Sequence, residues 1–187
     1  LETSGAGAAS GIALTTQPVL TLRDSSNNIV TGVAHNVVAT ITPSASTSGT
    51  TVAVNTSTGT ATFTALSISG TVGSYTISFS VEGASSSDVA SVSQDIQLTH
   101  GVATSVRVVS QPTSGNAGVT LSPLVVEVID ARGNRITTGS TASKTVTITN
   151  AKPFTTVFGT KAVSLSVGVA TFDNISLDVA DNQYFRY

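Results

Sequence analysis

With charged side chains at only 10% of 187 residues, and ten acids against eight bases, this chain has no basic face of the kind nucleic acid requires. It contains no Cys, Met or Trp, so disulfides and thiolate zinc sites are excluded and a packed core must hold it together. No apolar run approaches the roughly 20 residues of a bilayer-spanning helix.

Ser and Thr replace the missing charge and make up about three residues in ten, a departure from average usage. Such polarity suggests disorder, yet β-branched residues recur in alternating runs and the net charge is only −2. Thr and Val suit a pleated, half-buried surface, so the composition predicts an all-β fold. The missing initiator Met is read as a terminus that is processed, or cut from something longer.

In chain order, "TSG" at Thr3–Gly5 opens a first copy of a repeat and returns at Thr113–Gly115. Pro18–Gly32 (PVLTLRDSSNNIVTG) returns as Leu124–Gly139 (LVVEVIDARGNRITTG). Leu20 and Leu22 share a face with Pro18, while Val19, Thr21 and Arg23 take the other; Leu124, Val126 and Val128 take the first face in the second copy. Ala39–Thr42 (ATIT) answers to Val146–Thr149 (VTIT). Ala61–Phe63 matches Ala170–Phe172, and Tyr75 falls on Tyr184. Tyr75, Ile77, Phe79 and Val81 alternate with Thr76, Ser78, Ser80 and Glu82, the pattern of a strand with one wet side. Gly, Asn, Asp and Ser clusters punctuate these runs, and no stretch has a 3.6-residue period. Two tandem immunoglobulin-like β-sandwiches are therefore expected, residues 1–100 and 101–187, joined near His100–Gly101, with almost no helix.

The two copies differ at their ends. The second begins with Gly101–Pro112, whose Val102, Val106 and Val108 point one way, and the first copy has no counterpart. The first ends with Ser86–His100, whose Val92, Ile96 and Leu98 share a face, and the second copy has no counterpart. The first sandwich is thus expected to lack its initial strand and the second its final strand. Three or four inward side chains amount to roughly 5–12 kcal/mol of burial, set against about 5–15 kcal/mol for a whole domain. The expectation is that neighbouring repeats or subunits supply the strands through sheet edges, from a longer tandem array or by donation between subunits.

The two turns, LRDSSNNIVTG and VIDARGNRITTG, and the block GTATF…LSISGTVGSYTISF resemble bacterial immunoglobulin-like repeats of invasin/intimin-type surface proteins and adhesins. The resemblance covers most of both copies. It implies a passive spacer or adhesive array, exported and anchored elsewhere. One departure is NQYFRY, which puts Arg186 where Ile77 stands in the first copy.

No chemistry-bearing constellation emerges. Asp24 with Asn28, and Asp130 with Asn134, offer oxygens to a Ca²⁺ ion, but each turn has one acid and Asx-turn hydrogen bonding explains both pairs. His35 and His100 have no Cys to complete a zinc site. No G-x-S-x-G elbow is present. Asp173, Asp178 and Asp181 read as solvated loop acids rather than a glycosidase pair. Tyr75 and Tyr184 stand where a tyrosine corner ties down a preceding loop. Asn55-Thr56-Ser57 and Asn174-Ile175-Ser176 are sequons of the kind chance produces at this hydroxyl content. Lys144, Lys152 and Lys161 offer no clear isopeptide staple.

The functional expectation is a non-enzymatic, extracellular or cell-surface structural and adhesive module, a segment of a stalk or filament, with no metal or cofactor. Its partners are neighbouring repeats or subunits and, as a second class, cell-surface glycans. Two alternatives remain: a phage or virus fibre or capsid-decorating domain, and a carbohydrate-binding module. The latter requires a row of exposed aromatics on one sheet.

Overall fold

The computed structural model describes residues 8–84, 89–150 and 156–178, and the backbone of Phe185–Arg186. Apart from one 3₁₀ turn at Ser140–Ser143, the regular elements are all strands, and the fold is all-β. The chain divides into two compact units, Leu1–Gly101 and Val102–Tyr187.

The first unit contains β1 (Ala8–Ala9), β2 (Ile12–Ala13), β3 (Val19–Thr21), β4 (Asn36–Thr42), β5 (Ser46–Ser48), β6 (Thr51–Ala53), β7 (Thr60–Thr62), β8 (Ser67–Ser69), β9 (Gly73–Val81) and β10 (Val92–Thr99). Five of them form a sheet in the order β1-β10-β9-β4-β6; the others pair as β2-β8-β5 and β3-β7. The two groups share one core. Phe63, just after β7, meets Phe79 of β9 edge-on, with ring centroids 5.3 Å apart and an interplanar angle of 62°. On β9 the alternation holds throughout: Tyr75, Ile77, Phe79 and Val81 are buried, and the residues between them are half-buried or exposed.

Two features of this unit have no sequence signature. β1 pairs in parallel with the end of β10, Ala8 opposite Leu98, and the small Ala8 side chain is buried there. Between β2 and β3 the ladder to β7 and β8 is patched by a side chain. The Gln17 Nε2 donates to the carbonyls of Leu14 and Leu66 at 2.9 and 3.1 Å, and its Oε1 accepts from the Leu66 amide at 2.9 Å. An amide side chain here stands in for a missing peptide group.

The second unit contains β11 (Ala103–Ser110), β12 (Leu124–Asp130), β13 (Thr145–Thr147), β14 (Thr149–Asn150), β15 (Val157–Phe158), β16 (Ala162–Ser164), β17 (Val169–Phe172), β18 (Ser176–Leu177) and β19 (Phe185–Arg186). They pair as β11-β12-β17, β13-β16, β14-β19 and β15-β18. Phe172, Val126, Ile148 and Ala170 form the centre of its core.

Matching hydrogen bonds put the two units on one plan. The Leu22 amide donates to Gly59 O as Val128 does to Gly168 O, and Leu14 to Leu66 O as Leu121 does to Ile175 O. These bonds also correct one alignment. The Val54 amide donates to His35 O as Leu165 does to Lys144 O, and Ala39 to Thr50 O as Ile148 does to Lys161 O. Ala39 therefore answers to Ile148, not to Val146, because ATIT and VTIT are similar strings two residues out of register. Since Ile41 pairs with Ile77 and Thr40 with Ser78, the pairing of Asn150 with Phe185 and Thr149 with Arg186 puts Phe185 at the ladder position of Ile77 and Arg186 at that of Ser78. The expected substitution of Arg186 for Ile77 is thus corrected. Tyr184, the expected partner of Tyr75, lies outside the described residues, as do Asp181, Lys152 and Thr3–Gly5.

The terminal strands bury less than expected. Val102, just before β11, is 66% exposed and Val106 of β11 is 38% exposed, and of the three valines only Val108 packs against the core. A register shift between Ala103 and Ser105 breaks the alternation between Val102 and the later valines, while Val106 and Val108 stay in one register opposite Val128 and Val126. On β10, Leu98 is fully buried and Ile96 packs against the core, while Val92 is exposed. Each of these strands therefore contributes one or two core side chains rather than three or four.

Candidate interaction edge

The most distinctive surface feature is one side of β3. In the second unit β12 is flanked on both sides: Leu124–Glu127 pair with β17, and Val125–Asp130 with β11. In the first unit Val19–Thr21 pair with β7, and no other strand lies beside β3 among the described residues. Pro18 O accepts from Phe63 N, and Leu22 N donates to Gly59 O. Even-numbered residues thus direct their peptide groups at β7, and in an antiparallel ladder the odd-numbered ones, Val19, Thr21 and Arg23, face the other way. Their counterparts Val125, Glu127 and Ile129 are the residues opposite Ser110, Arg107 and Ser105 of β11. Val19 is 49% exposed at this edge.

Charge distinguishes the two edges. Arg107 of β11 stands directly across from Glu127; its Nε donates to Glu127 Oε1 at 2.8 Å, and its Nη2 donates to the same oxygen. The Glu127 side chain is only 10% exposed, against 52% for Arg107. A carboxylate so enclosed needs its partner. The first unit has Thr21 in place of Glu127, and Arg23 in place of Ile129. Sequence reasoning missed this pair, since Arg107 and Glu127 become neighbours only once the register is known.

The two Asx turns have the same geometry. Asp24 Oδ1 accepts from the Ser26 and Asn28 amides at 2.9 and 2.8 Å, and its Oδ2 from Asn28 Nδ2 at 3.1 Å. Asp130 repeats this with Arg132, Asn134 and Asn134 Nδ2 at 2.8, 2.9 and 2.9 Å. In both, N–H donors engage the carboxylate and lock the turn. The first turn is exposed, while Asp130 is only 3% exposed and Asn134 is buried. Asp130→Ala should therefore cost much more than Asp24→Ala. It leaves enclosed donors without their acceptor, at about 1–3 kcal/mol for each buried group, whereas water replaces Asp24. Urea denaturation of the two variants checks the ranking.

Tyr75 holds a corner: its hydroxyl donates to Thr71 O at 3.0 Å. Gly70 leaves the room, because a Cβ there would lie 2.6 Å from that hydroxyl. Both sequon asparagines are structural. Asn55 Oδ1 accepts from the Ser57 amide at 2.9 Å; Asn174 Oδ1 accepts from the Thr160 amide, and its Nδ2 donates to Thr160 Oγ1, both at 2.9 Å. His35 is exposed, and His100 Nδ1 lies 2.9 Å from Gly101 O. Asp173 is exposed, as are Lys144 and Lys161. Asp178 accepts from the Thr156 amide at 2.7 Å. No group of three His, Cys, Asp or Glu side chains suited to a metal ion occurs among the described residues. None of the described helices is long and apolar enough to cross a membrane.

Hydrogen bonds from the Asn28 side chain and backbone hold the Asp24 carboxyl below its ordinary value, and the Thr156 amide does the same for Asp178. A folded-state value below the unfolded one gives stability that is present above the unfolded value and lost as pH falls through the folded one. The melting temperature should therefore drop on acidification below about pH 4. Melts of Asp24→Asn and Asp178→Asn should show a smaller drop.

No family model matches the chain, and no curated protein matches it. Among solved structures it is similar to domains 5-6 of the S-layer protein SbsC at 15% sequence identity, over 98% of this chain and 92% of that one, with a TM-score of 0.32. That likeness is too low to carry an inference.

Proposed function

We propose that this chain is a non-enzymatic, exported structural module. In this reading it comprises two tandem immunoglobulin-like sandwiches of the invasin/intimin kind, forming part of a stalk or filament at a bacterial surface and joined to neighbouring repeats through sheet edges. The observation that carries the reading is the repetition itself: two units with the same turns and the same inter-strand hydrogen bonds. The Tyr75 corner supports the immunoglobulin-like assignment. The outer face of β4, β9 and β10 suits a surface module. It is a hydroxyl-rich lattice in which Thr76 Oγ1 donates to Asp95 at 2.7 Å and the Ser78 and Ser93 hydroxyls bond at 2.9 Å.

Glycan binding is the weaker reading. Among the described residues, Phe63, Phe79, Phe172 and Tyr75 are all core residues, and Phe158 is the one exposed aromatic. Immunogold labelling of intact producing cells tests the proposal. Surface label that protease shaving removes is expected; label confined to the cytoplasm overturns it, and label on released particles favours a virion fibre.

A further inference from the structure

We infer that Asn55 is a glycosylation acceptor: its side-chain nitrogen takes a sugar from an activated glycosyl diphosphate, whereas Asn174, in the second sequon of the chain, does not. The inference goes beyond the structural-module reading and does not depend on it. Sugar transfer to asparagine needs the triplet N-x-[ST], a surface loop to present it, and an amide nitrogen open to the donor. Asn55-Thr56-Ser57 meets all three. Asn55, Thr56, Ser57 and Thr58 are exposed, and residues 56–59 form a turn closed by the Asn55–Thr60 bridge. Asn55 Oδ1 accepts from the Ser57 and Thr58 amides at 2.9 and 3.3 Å, which commits the oxygen to the turn and leaves Nδ2 as the free end of the amide. Neither that nitrogen nor the Ser57 hydroxyl bonds to another described residue.

The second sequon differs at each point. Asn174 Nδ2 donates to Thr160 Oγ1 at 2.9 Å, Ile175 is buried, and Ser176 belongs to β18, opposite Phe158. An enzyme seizing this triplet would have to open the β15–β18 pair. The repeat also shows that the Asn55 turn is no requirement of the fold. Val54 answers to Leu165, so Asn55 answers to Ser166, and the Asn55–Thr60 bridge to the bridge between Ser166 and Val169. The second unit closes this hairpin with Val167 and Gly168 alone, and the first uses residues 56–59. The longer turn places Thr56 and Ser57 clear of both strands. The transfer balances as a substitution. Asn55 Nδ2 bonds to the anomeric carbon, the bond from that carbon to the diphosphate oxygen breaks, and the diphosphate leaves with the electron pair. One Nδ2 proton passes to a base on the transferase. Oδ1 and its two amide bonds are untouched, so the turn survives modification.

The test takes the protein from its producing cells and maps its peptides by mass spectrometry. The peptide holding Asn55 should carry the added mass of one or more whole sugars, and the peptide holding Asn174 none. Ser57→Ala should abolish the addition without shifting the melting temperature, because the turn uses the Ser57 amide and not its hydroxyl; Ser57→Thr should keep it. Asn55→Asp retains an acceptor oxygen for the turn but has no amide nitrogen, and it should also lose the sugar. Two arms identify the donor. Unmodified 187-residue chain is incubated with a nucleotide sugar and the soluble fraction of those cells, or with their membranes and a polyprenyl-diphosphate sugar, and one arm should label Asn55. A bare Asn55 in the cellular protein overturns the inference, as does labelling in neither arm. So does a sugar that persists in Ser57→Ala, equal occupancy of Asn174, or sugar confined to Ser and Thr hydroxyls. If cells label at the surface and Asn55 is bare, this inference alone fails; if Asn55 carries sugar and the label stays internal, the surface reading alone fails.

Discussion

Gly168→Ala is expected to unfold the second unit. Gly168 sits at φ +77°, and a Cβ on it would fall 1.9 Å from Ile136 O and 3.0 Å from Ile136 C. That carbonyl cannot retreat, because the adjoining Ile136 amide donates to Val128 O at 2.9 Å and the Ile136 side chain is buried. The left-handed conformation alone costs an L-residue about 1–2 kcal/mol. The overlap adds several more, against a total of about 5–15 kcal/mol. Gly118→Ala is the control: it lies in the same unit at φ +76°, but with nothing within 4 Å of its Cβ position. It should cost about 1 kcal/mol, the conformational part alone. Hydrogen exchange at Val126 and Phe172 separates the outcomes, since Gly168→Ala should abolish their protection and Gly118→Ala should leave most of it. Gly59→Ala should act alike in the first unit, where the Cβ would lie 2.3 Å from Val30 O. This shared contact explains why a glycine opens both "GTATF" and "GVATF".

Phe63→Ala is the second large effect. Phe63 is fully buried and meets Phe79 across the sandwich at 5.3 Å. Its loss leaves a cavity between two sheets whose backbones are held by their own ladders and cannot collapse into it. Substitutions of this kind cost about 3–5 kcal/mol. Guanidinium denaturation followed at first-unit amides should show a lower midpoint with an unchanged slope. Phe63→Leu should recover more than half of the loss.

The core and the turns were legible in advance because each depends on local chemistry. A period-two run such as Tyr75–Val81 can bury only one face, and its four apolar residues are the buried ones. An Asp followed four residues later by Asn satisfies its own turn, and both turns close that way. The Tyr75 corner was legible from its position at the start of a strand. The rest was not, because it depends on which strands become neighbours. ATIT and VTIT look equivalent as strings, but the connection from Val128 to Lys144 is three residues longer than that from Leu22 to His35 and moves the register. Val102, Val106 and Val108 look inward by alternation, yet a register shift separates Val102 from the other two, and of the three only Val108 packs against the core. Gln17 has no visible reason to be an amide until Leu66 lies opposite it.

By itself the amino-acid sequence determined an all-β chain, built twice, with two apolar cores and tightly closed Asx turns, because alternation and turn chemistry act within a few residues of chain. The tertiary structure alone decided that β12 is flanked on both sides while β3, among the described residues, is paired on one, and that Glu127 lies enclosed beneath Arg107 while Thr21 is exposed. Ladder partners and the burial of a charge are set by residues far apart in sequence, and folding is what brings them into contact.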